Sequence, residues 1–187
     1  NLAWLEGEQN EDKWLELWGH AFDVERVTNQ FYEEYLNIFE SAQNRIKKSN
    51  ELNKNDSFMF TQTLFNRLMF LRFTEKKGWL SFNERKEYLL ALFEAKGCKG
   101  KSFYQGRLSP LFFKGLGVKG SQKDEAYGSV VFLNGGLFEE SDMDKKVSDI
   151  PDDFFQELIG DKGLFYRYNF TVEESTPLDV QVAIDPE

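Results

Sequence analysis

One stretch, FMFTQTLFNRLMFLRFTEKKG at residues 58–78, limits the possible folds of this chain more than any other. Its apolar residues recur at steps of three and four on two sides of a helix: Phe60, Leu64, Leu68 and Leu71 on one, and Phe58, Phe65, Met69 and Phe73 on the other. A helix that is apolar on most sides has to be covered by other elements. We therefore expect a helix capped by Ser57 and ended by Gly78 at the centre of a helical bundle.

The segments on either side of this helix also have helical patterns. Apolar residues at steps of three and four predict a helix over residues 23–48, with Asp23 as its N-cap, followed by a polar linker at 47–56. The series Ser-Phe-Asn-Glu at 81–84 has the spacing of a capping box and predicts a third helix to about Lys96.

Glycine becomes frequent after residue 97, and the patterns become shorter. Residues 102–117 predict a short helix, VVFLNGG (130–136) a strand entering a turn, and 149–163 a helix that begins near Pro151 and ends at Gly160. Residues 165–172 are predicted to be extended. The fold class that follows is mainly α: an irregular helical bundle with a small β hairpin or arm.

Composition supports a packed interior and gives an expectation about location. The chain is 41% hydrophobic and contains 19 Phe, which excludes global disorder. Its most apolar run, around residues 58–73, is interrupted by Asn66, Arg67 and Arg72, so we expect no membrane span and no membrane partner. Cys98 is the single cysteine and cannot form an internal disulfide, which is typical of a cytoplasmic protein.

The net charge of −9 hides a strong asymmetry along the chain. Residues 61–123 contain 13 Lys or Arg and 4 Asp or Glu, a net charge of +9, whereas residues 1–60 carry −6 and residues 124–187 carry −12. Lys and Arg in exposed loops can bind the phosphates of DNA. The candidate contacts to a DNA backbone are the basic residues of the glycine-rich region: Lys96, Lys99, Lys101, Arg107, Lys114 and Lys119.

An alternative remains open for the same charges. The basic segment can pair with the acidic segments inside the fold, in which case the chain would be a protein-interaction scaffold without nucleic-acid binding. Arg67 and Arg72 lie within the apolar helix, so we expect these two to pair with buried carboxylates.

The sequence contains no convincing catalytic constellation. His20 is the single histidine and has no cysteine nearby, which excludes a zinc site or a histidine-based triad within the chain. GLGVKG (115–120) lacks the preceding strand of a phosphate loop. A metal-dependent nuclease using Asp152, Asp153 and Lys162 is the remaining enzymatic alternative, but acidic residues in the first turn of a helix already have a structural reason.

Six blocks, in this order, resemble one family. They are 22–40 (FDVERVTNQFYEEYLNIFE), 65–80 (FNRLMFLRFTEKKGWL), 103–117 (FYQGRLSPLFFKGLG), 132–140 (FLNGGLFEE), 150–155 (IPDDFF) and 168–187 (YNFTVEESTPLDVQVAIDPE). Together they resemble the region before the catalytic domain in adenine-specific DNA methyltransferases of single-chain restriction–modification enzymes. These include the type IIG kind, type I-like translocating relatives and phage-defence methylases.

The resemblance implies a helical spacer between an N-terminal nuclease or ATPase and a methyltransferase that uses S-adenosylmethionine. We expect a single domain over 1–187, with a helical core at 21–96, an irregular part at 97–165 and a connector to the methyltransferase at 166–187. The cofactor pattern Phe-x-Gly-x-Gly and the Asn-Pro-Pro-Tyr/Phe motif are then expected beyond this chain. The resemblance therefore assigns no catalytic, cofactor-binding or metal residue here; S-adenosylmethionine, and Mg²⁺ where a nuclease is present, belong to the full-length parent. The expected partners are DNA, bound through that parent, and the flanking domains.

Overall fold

The computed structural model describes residues 3–133 and 136–168, and the side chains of residues 26–133 and 136–168. In chain order its α-helices are α1 (Ala3–Ser49), α2 (Lys54–Lys76), α3 (Tyr88–Glu94), α4 (Asp142–Lys146), α5 (Asp153–Ile159) and α6 (Leu164–Arg167). Two π-helices, Tyr104–Leu108 and Leu111–Leu116, and the strands β1 (Ser121–Asp124) and β2 (Gly128–Val131) lie between α3 and α4. The predicted fold class, mainly α with a small β hairpin, is confirmed.

The chain divides into two compact units. In its described part, the first contains residues 3–34 and Tyr168, whose hydroxyl donates to Glu34 Oε1 at 3.0 Å and whose ring centroid lies 5.3 Å from that of Phe31. The second unit is Tyr35–Arg167 and contains every residue proposed above to contact DNA.

The first two helices begin earlier than the sequence predicts. Helix α1 is continuous from Ala3, so Asp23 lies inside it and is not its N-cap. No proline interrupts this stretch, and its glycines cost only about 1 kcal/mol each in a helix. Helix α2 begins at Lys54 because Asn53 is the N-cap: its side-chain oxygen accepts a hydrogen bond from Asp56 N at 2.8 Å. Ser57 therefore lies in the first turn.

Helix α2 lies in the core, but one of its two apolar sides is only partly covered. The predicted core side, Phe60, Leu64, Leu68 and Leu71, is at most 1% exposed. On the second side Phe65 is fully buried, whereas Phe58 is 42% and Phe73 is 37% exposed. The expectation that α2 is covered on most sides is therefore wrong for part of its surface.

Aromatic rings link the elements that surround α2. Phe65 lies 5.2 Å from Phe39 of α1 and 6.3 Å from Phe154 of α5, measured between ring centroids. Phe155 continues the cluster to Phe103 at 5.0 Å. Such edge-to-face and offset pairs are favourable beyond the area that they bury, so the many phenylalanines account for a densely packed interior.

The predicted capping box at 81–84 is a tight turn, and the third helix begins later than expected. Phe82 and Arg85 form an antiparallel bridge, with Phe82 N donating to Arg85 O at 3.2 Å and Arg85 N donating to Phe82 O at 3.0 Å. Asn83 and Glu84 between them have φ of 50° and 66°, which no right-handed helix contains. Two successive positive φ values are the pattern of a type I′ turn, and helix α3 starts only at Tyr88.

The glycine-rich part contains the predicted short helix, in the form of two π-helices. Its expected core contacts Phe103, Leu108, Leu111 and Phe112 are all fully buried. Strands β1 and β2 pair antiparallel, with Ser121 opposite Val131 and Asp124 opposite Gly128. The predicted strand thus ends at Val131, and Asn134 and Gly135 of the expected turn lie outside the described residues.

The last elements follow the sequence more closely. Helix α5 ends at the predicted Gly160, its C-cap, but it begins two residues later than Pro151: Asp152 is at the N-cap position and Asp153 is the first helical residue. Residues 165–167 belong to α6 and are helical, so the extended prediction is wrong there; residues 169–172 lie outside the described part. Within the described part, no helix is long and apolar enough to cross a membrane.

Candidate nucleic-acid-binding surface

The loop after α3 presents three of the candidate lysines to solvent. Lys96 N donates to Phe93 O at 2.8 Å and Lys101 N donates to Cys98 O at 3.1 Å, which forms two successive tight turns. Lys96 and Lys99 have φ of 57° and 56°. Lys96, Lys99 and Lys101 are all exposed, so the loop places three ammonium groups within six residues on the surface.

Gly97 makes this loop possible. A Cβ at this position would lie 1.5 Å from Lys101 O, far inside van der Waals contact. The chain can therefore turn back on itself here only without a side chain. Gly97, which directly follows the predicted end of the third helix at Lys96, is therefore the point of closest backbone packing in this loop.

Arg107 holds the loop in place from inside the fold. It is 7% exposed, and its guanidinium donates to four backbone carbonyls on two separate segments. Nε donates to Lys96 O and Nη2 to Ala95 O, while Nη1 donates to Ala126 O at 2.9 Å and to Glu125 O. Because all three guanidinium nitrogens of Arg107 already donate to carbonyls, Arg107 is not part of the exposed basic surface.

The remaining candidates lie further along the chain. Lys114 is exposed on the second π-helix, and Lys119 is exposed two residues before β1. Both strands of the hairpin pack on that π-helix. The name lysine surface is used from here for the five exposed candidates Lys96, Lys99, Lys101, Lys114 and Lys119.

One member of the lysine surface has an acidic neighbour. Lys99 Nζ lies 3.1 Å from Glu125 Oε1, and both side chains are more than half exposed. The hydrogen bond to Glu125 raises the pKa of Lys99, and the same contact lowers the pKa of Glu125. Exposed ion pairs of this kind contribute little to stability, so Lys99 can exchange its partner for a phosphate at small cost.

Arg67 and Arg72 are paired inside the fold, as predicted. Arg67 donates to both carboxylate oxygens of Asp144, at 2.6 and 3.1 Å, and to Leu137 O at 2.7 Å. Burial opposes the charge on Asp144, but hydrogen bonds from Arg67 and Ser141 outweigh it and lower the pKa of this carboxyl. Both side chains are at most 3% exposed, so this is a buried ion pair.

Arg72 belongs to a second buried network that reaches helix α3. It donates to Glu75, and its guanidinium carbon lies 4.2 Å from the ring centroid of Tyr166. Glu75 Oε2 accepts from Leu89 N at 2.8 Å, and the Tyr166 hydroxyl accepts from Leu90 N at 2.9 Å. Burial raises the pKa of Glu75, although Arg72, Leu89 and Tyr166 all act in the opposite direction.

The residues of the nuclease alternative have structural partners. Asp152 Oδ1 accepts from Phe103 N at 3.0 Å, and Asp153 Oδ2 lies 3.0 Å from Arg45 Nη1. Lys162 is exposed in the turn after α5. In the described part of the chain, no group of three or more His, Cys, Asp or Glu side chains is arranged to hold a metal ion.

The letters of a cofactor motif do occur in the chain, at FKGLG (113–117). These five residues match the Phe-x-Gly-x-Gly pattern. The family resemblance leads us to expect this pattern only beyond the chain, and the occurrence of the same letters here corrects that expectation for the sequence. In the structure these residues belong to the second π-helix and its C-cap. A Cβ at Gly115 would lie 3.0 Å from Val130 Cγ2, and one at Gly117 would lie 2.5 Å from Phe138 O. Close packing accounts for both glycines.

Comparison with known proteins gives one distant relative and one family. No solved structure matches the chain. A protein of Methanocaldococcus jannaschii named "Putative type II restriction enzyme and methyltransferase RM.MjaORFECS2P" is 28% identical over 196 residues. The match covers 87% of this chain and 16% of that protein, so the chain spans about one sixth of the length of its relative.

This similarity agrees, in its coarse form, with the resemblance seen in the sequence blocks: the chain is distantly similar to a region of a restriction enzyme and methyltransferase. A protein-family model, described as "Domain of unknown function (DUF7814)", matches residues 21–159, which is most of the chain. The chain therefore belongs to the DUF7814 family.

Proposed function

We propose that this chain is a non-catalytic helical domain of a type II restriction–modification DNA methyltransferase. In the proposal the parent enzyme is adenine-specific and uses S-adenosylmethionine, and this domain positions the neighbouring domains and contacts the DNA backbone. The distant similarity to a restriction enzyme and methyltransferase carries the proposal. The span of the match, 16% of the relative, leaves room in such a protein for separate catalytic domains.

The lysine surface supplies the chemistry for the contact with DNA. Each ammonium group that neutralises a phosphate releases condensed counterions, which favours binding without reading the base sequence. Five exposed lysines, three of them on a loop whose backbone Arg107 holds by hydrogen bonds, fit this role of positioning. The buried arginines do not, since their donors are occupied inside the fold.

A specific observation favours the alternative of a scaffold that does not bind nucleic acid. Several basic residues of the middle third are paired with carboxylates: Arg67 with Asp144, Arg72 with Glu75, Arg85 with Glu94, and Lys99 with Glu125. These pairs reduce the basic charge that remains for a polyanion. The same binding experiment decides between the two functions.

The test is binding of a fluorescein-labelled 20-base-pair duplex at low salt, followed by anisotropy. Replacing Lys96, Lys99 and Lys101 together by Gln is expected to weaken binding roughly tenfold or more, because three phosphate contacts are lost. The matched control replaces three exposed lysines of α1 and α2, Lys47, Lys48 and Lys54, by Gln and should bind as the unchanged chain does. Absence of any duplex binding by the unchanged chain, or equal loss in both triple variants, would favour the scaffold.

A further inference from the structure

A tryptophan is held in solvent directly after helix α2. Trp79 is 67% exposed, the largest exposed fraction among the large hydrophobic side chains that the structure describes. Gly78 has φ of 74°, its N–H donates to Glu75 O at 2.8 Å, and Trp79 N donates to Thr74 O at 3.2 Å. This is the hydrogen-bond pattern of a Schellman C-cap. Since Leu80 is 4% exposed, the backbone of Trp79 is fixed on both sides.

Aromatic rings and lysines lie close to Trp79 in the sequence and in the cleft beside it. Phe73, one turn before the end of α2, is 37% exposed, and Lys77 Nζ lies 5.5 Å from the centroid of its ring. Gly78 and Leu80, the two neighbours of Trp79, line an open cleft of about 710 Å³. The cleft wall also includes Lys76, Lys77 and Lys86, together with Glu84 and Glu87.

The charge in this cleft favours an anionic ligand. Arg72 and Glu75 form an ion pair with each other at its base, so their charges largely cancel. The three lysines then exceed the two remaining glutamates. Lysine is depleted at the centres of protein–protein interfaces, where desolvating an ammonium group is costly. An exposed indole whose two chain neighbours line a cleft with three lysines therefore fits a hydrated polyanion better than an apolar protein partner.

We propose that Trp79, Phe73, Lys77 and Lys86 form a binding site for unpaired nucleic acid. In this site a base stacks on the Trp79 indole, and the adjoining phosphates contact Lys77 and Lys86. A duplex keeps the faces of its bases covered, so the ligand class is single-stranded DNA or RNA or an unpaired stretch within a duplex. The site uses residues outside the lysine surface and goes beyond the backbone contact proposed above.

The experiment measures binding of a labelled single-stranded dT20 oligonucleotide to the 187-residue chain by anisotropy. Because Trp79→Ala removes the stacking of one base, we expect it to weaken the binding of dT20 by roughly 5- to 100-fold. Trp79→Phe keeps an aromatic face and should retain most of the affinity, whereas Trp79→Leu keeps only apolar bulk and should bind as weakly as Trp79→Ala. Met59→Ala, which shortens another exposed apolar side chain of α2, is the matched control and should change nothing.

Three results would overturn the site. They are no binding of dT20 at low salt, unchanged binding by Trp79→Ala, and full binding by Trp79→Leu, which would indicate apolar contact without stacking. Circular dichroism of each variant shows whether it is folded. If Trp79→Ala is unfolded, the comparison of Trp79→Phe with Trp79→Leu decides whether a base stacks on this residue. The 20-base-pair duplex, measured with the same proteins, keeps the two proposals apart: if the unchanged chain binds the duplex but not dT20, this site is ruled out and the lysine surface is not.

Discussion

At the scale of single residues, buried arginines organise this protein. Arg67, Arg72 and Arg107 are at most 7% exposed. A buried guanidinium costs several kcal/mol in lost hydration unless its donors are matched by acceptors. Each of the three donates to at least one backbone carbonyl, and Arg67 and Arg72 also pair with a carboxylate. These arginines fix loops that helix packing alone would leave free.

The Arg67–Asp144 pair gives a prediction for stability and its dependence on pH. Asp144→Asn leaves Arg67 buried without its counter-charge, which is expected to lower the free energy of unfolding by about 3–5 kcal/mol at neutral pH. The folded pKa of Asp144 is lowered from its ordinary 3.8, so the contribution of the pair is complete well above that value and is lost as the pH falls through the folded pKa.

Urea unfolding at several pH values measures this effect. The difference between the unchanged chain and Asp144→Asn should be constant near neutrality and should shrink in acid. Asp142→Asn removes an exposed carboxylate from the same helix, where it pairs with Lys145, and should leave stability nearly unchanged. A difference that does not vary between neutral and acid pH would show that the charge on Asp144 does not stabilise the fold.

At the scale of secondary structure, helix α3 is capped by side chains that are distant in the sequence. Glu87, at its N-cap position, makes no side-chain capping hydrogen bond. Glu75 accepts from Leu89 N instead, and Tyr166 accepts from Leu90 N. The free N–H groups of the first turn are thus satisfied from α2 and α6, which ties three elements together.

This arrangement predicts different effects for two conservative substitutions. Tyr166→Phe removes the acceptor of Leu90 N and a donor to Glu75, so it should lower the free energy of unfolding by about 1–2 kcal/mol. Ser81→Ala should change it by less than about 0.5 kcal/mol, because Ser81 is not the N-cap of a helix. Hydrogen exchange of the Leu90 amide should accelerate in the first variant alone. A larger effect of Ser81→Ala on the free energy of unfolding would indicate that Ser81 caps a helix, as the sequence predicts, and would contradict the turn.

Helix α3 and Arg107 also show where prediction from sequence ends. The C-terminal ends of α5 and α2 were predictable because Gly160 and Gly78 end these helices locally. The Ser-to-Glu spacing at 81–84 is equally compatible with a type I′ turn. Three residues favour the turn: Phe82, which is buried, and the distant Glu75 and Tyr166, which cap helix α3 further along the chain. For the candidate surface, exposed lysines in a glycine-rich loop were predictable from composition. The burial of Arg107 was not, because its acceptors lie 11 to 19 residues away.

At the scale of the whole molecule, the proposed contact with DNA has to be made by a chain whose net charge is negative. The net charge of −9 repels a polyanion at long range, and several residues of the basic third are paired with carboxylates of the same chain. Binding therefore depends on a local excess of positive charge within about one Debye length, roughly 10 Å at moderate salt. The lysine surface is the part of the described structure proposed to supply it.

The salt dependence of duplex binding tests this account most directly. The logarithm of the association constant should fall linearly with the logarithm of salt concentration, with a slope of about −0.9 for each phosphate neutralised, or about −4 to −5 when all five lysines take part. Replacing Lys96, Lys99, Lys101, Lys114 and Lys119 by Gln should bring the slope close to zero. An unchanged slope in this variant, or no binding by the unchanged chain even at low salt, would contradict the proposal that this domain contacts the DNA backbone.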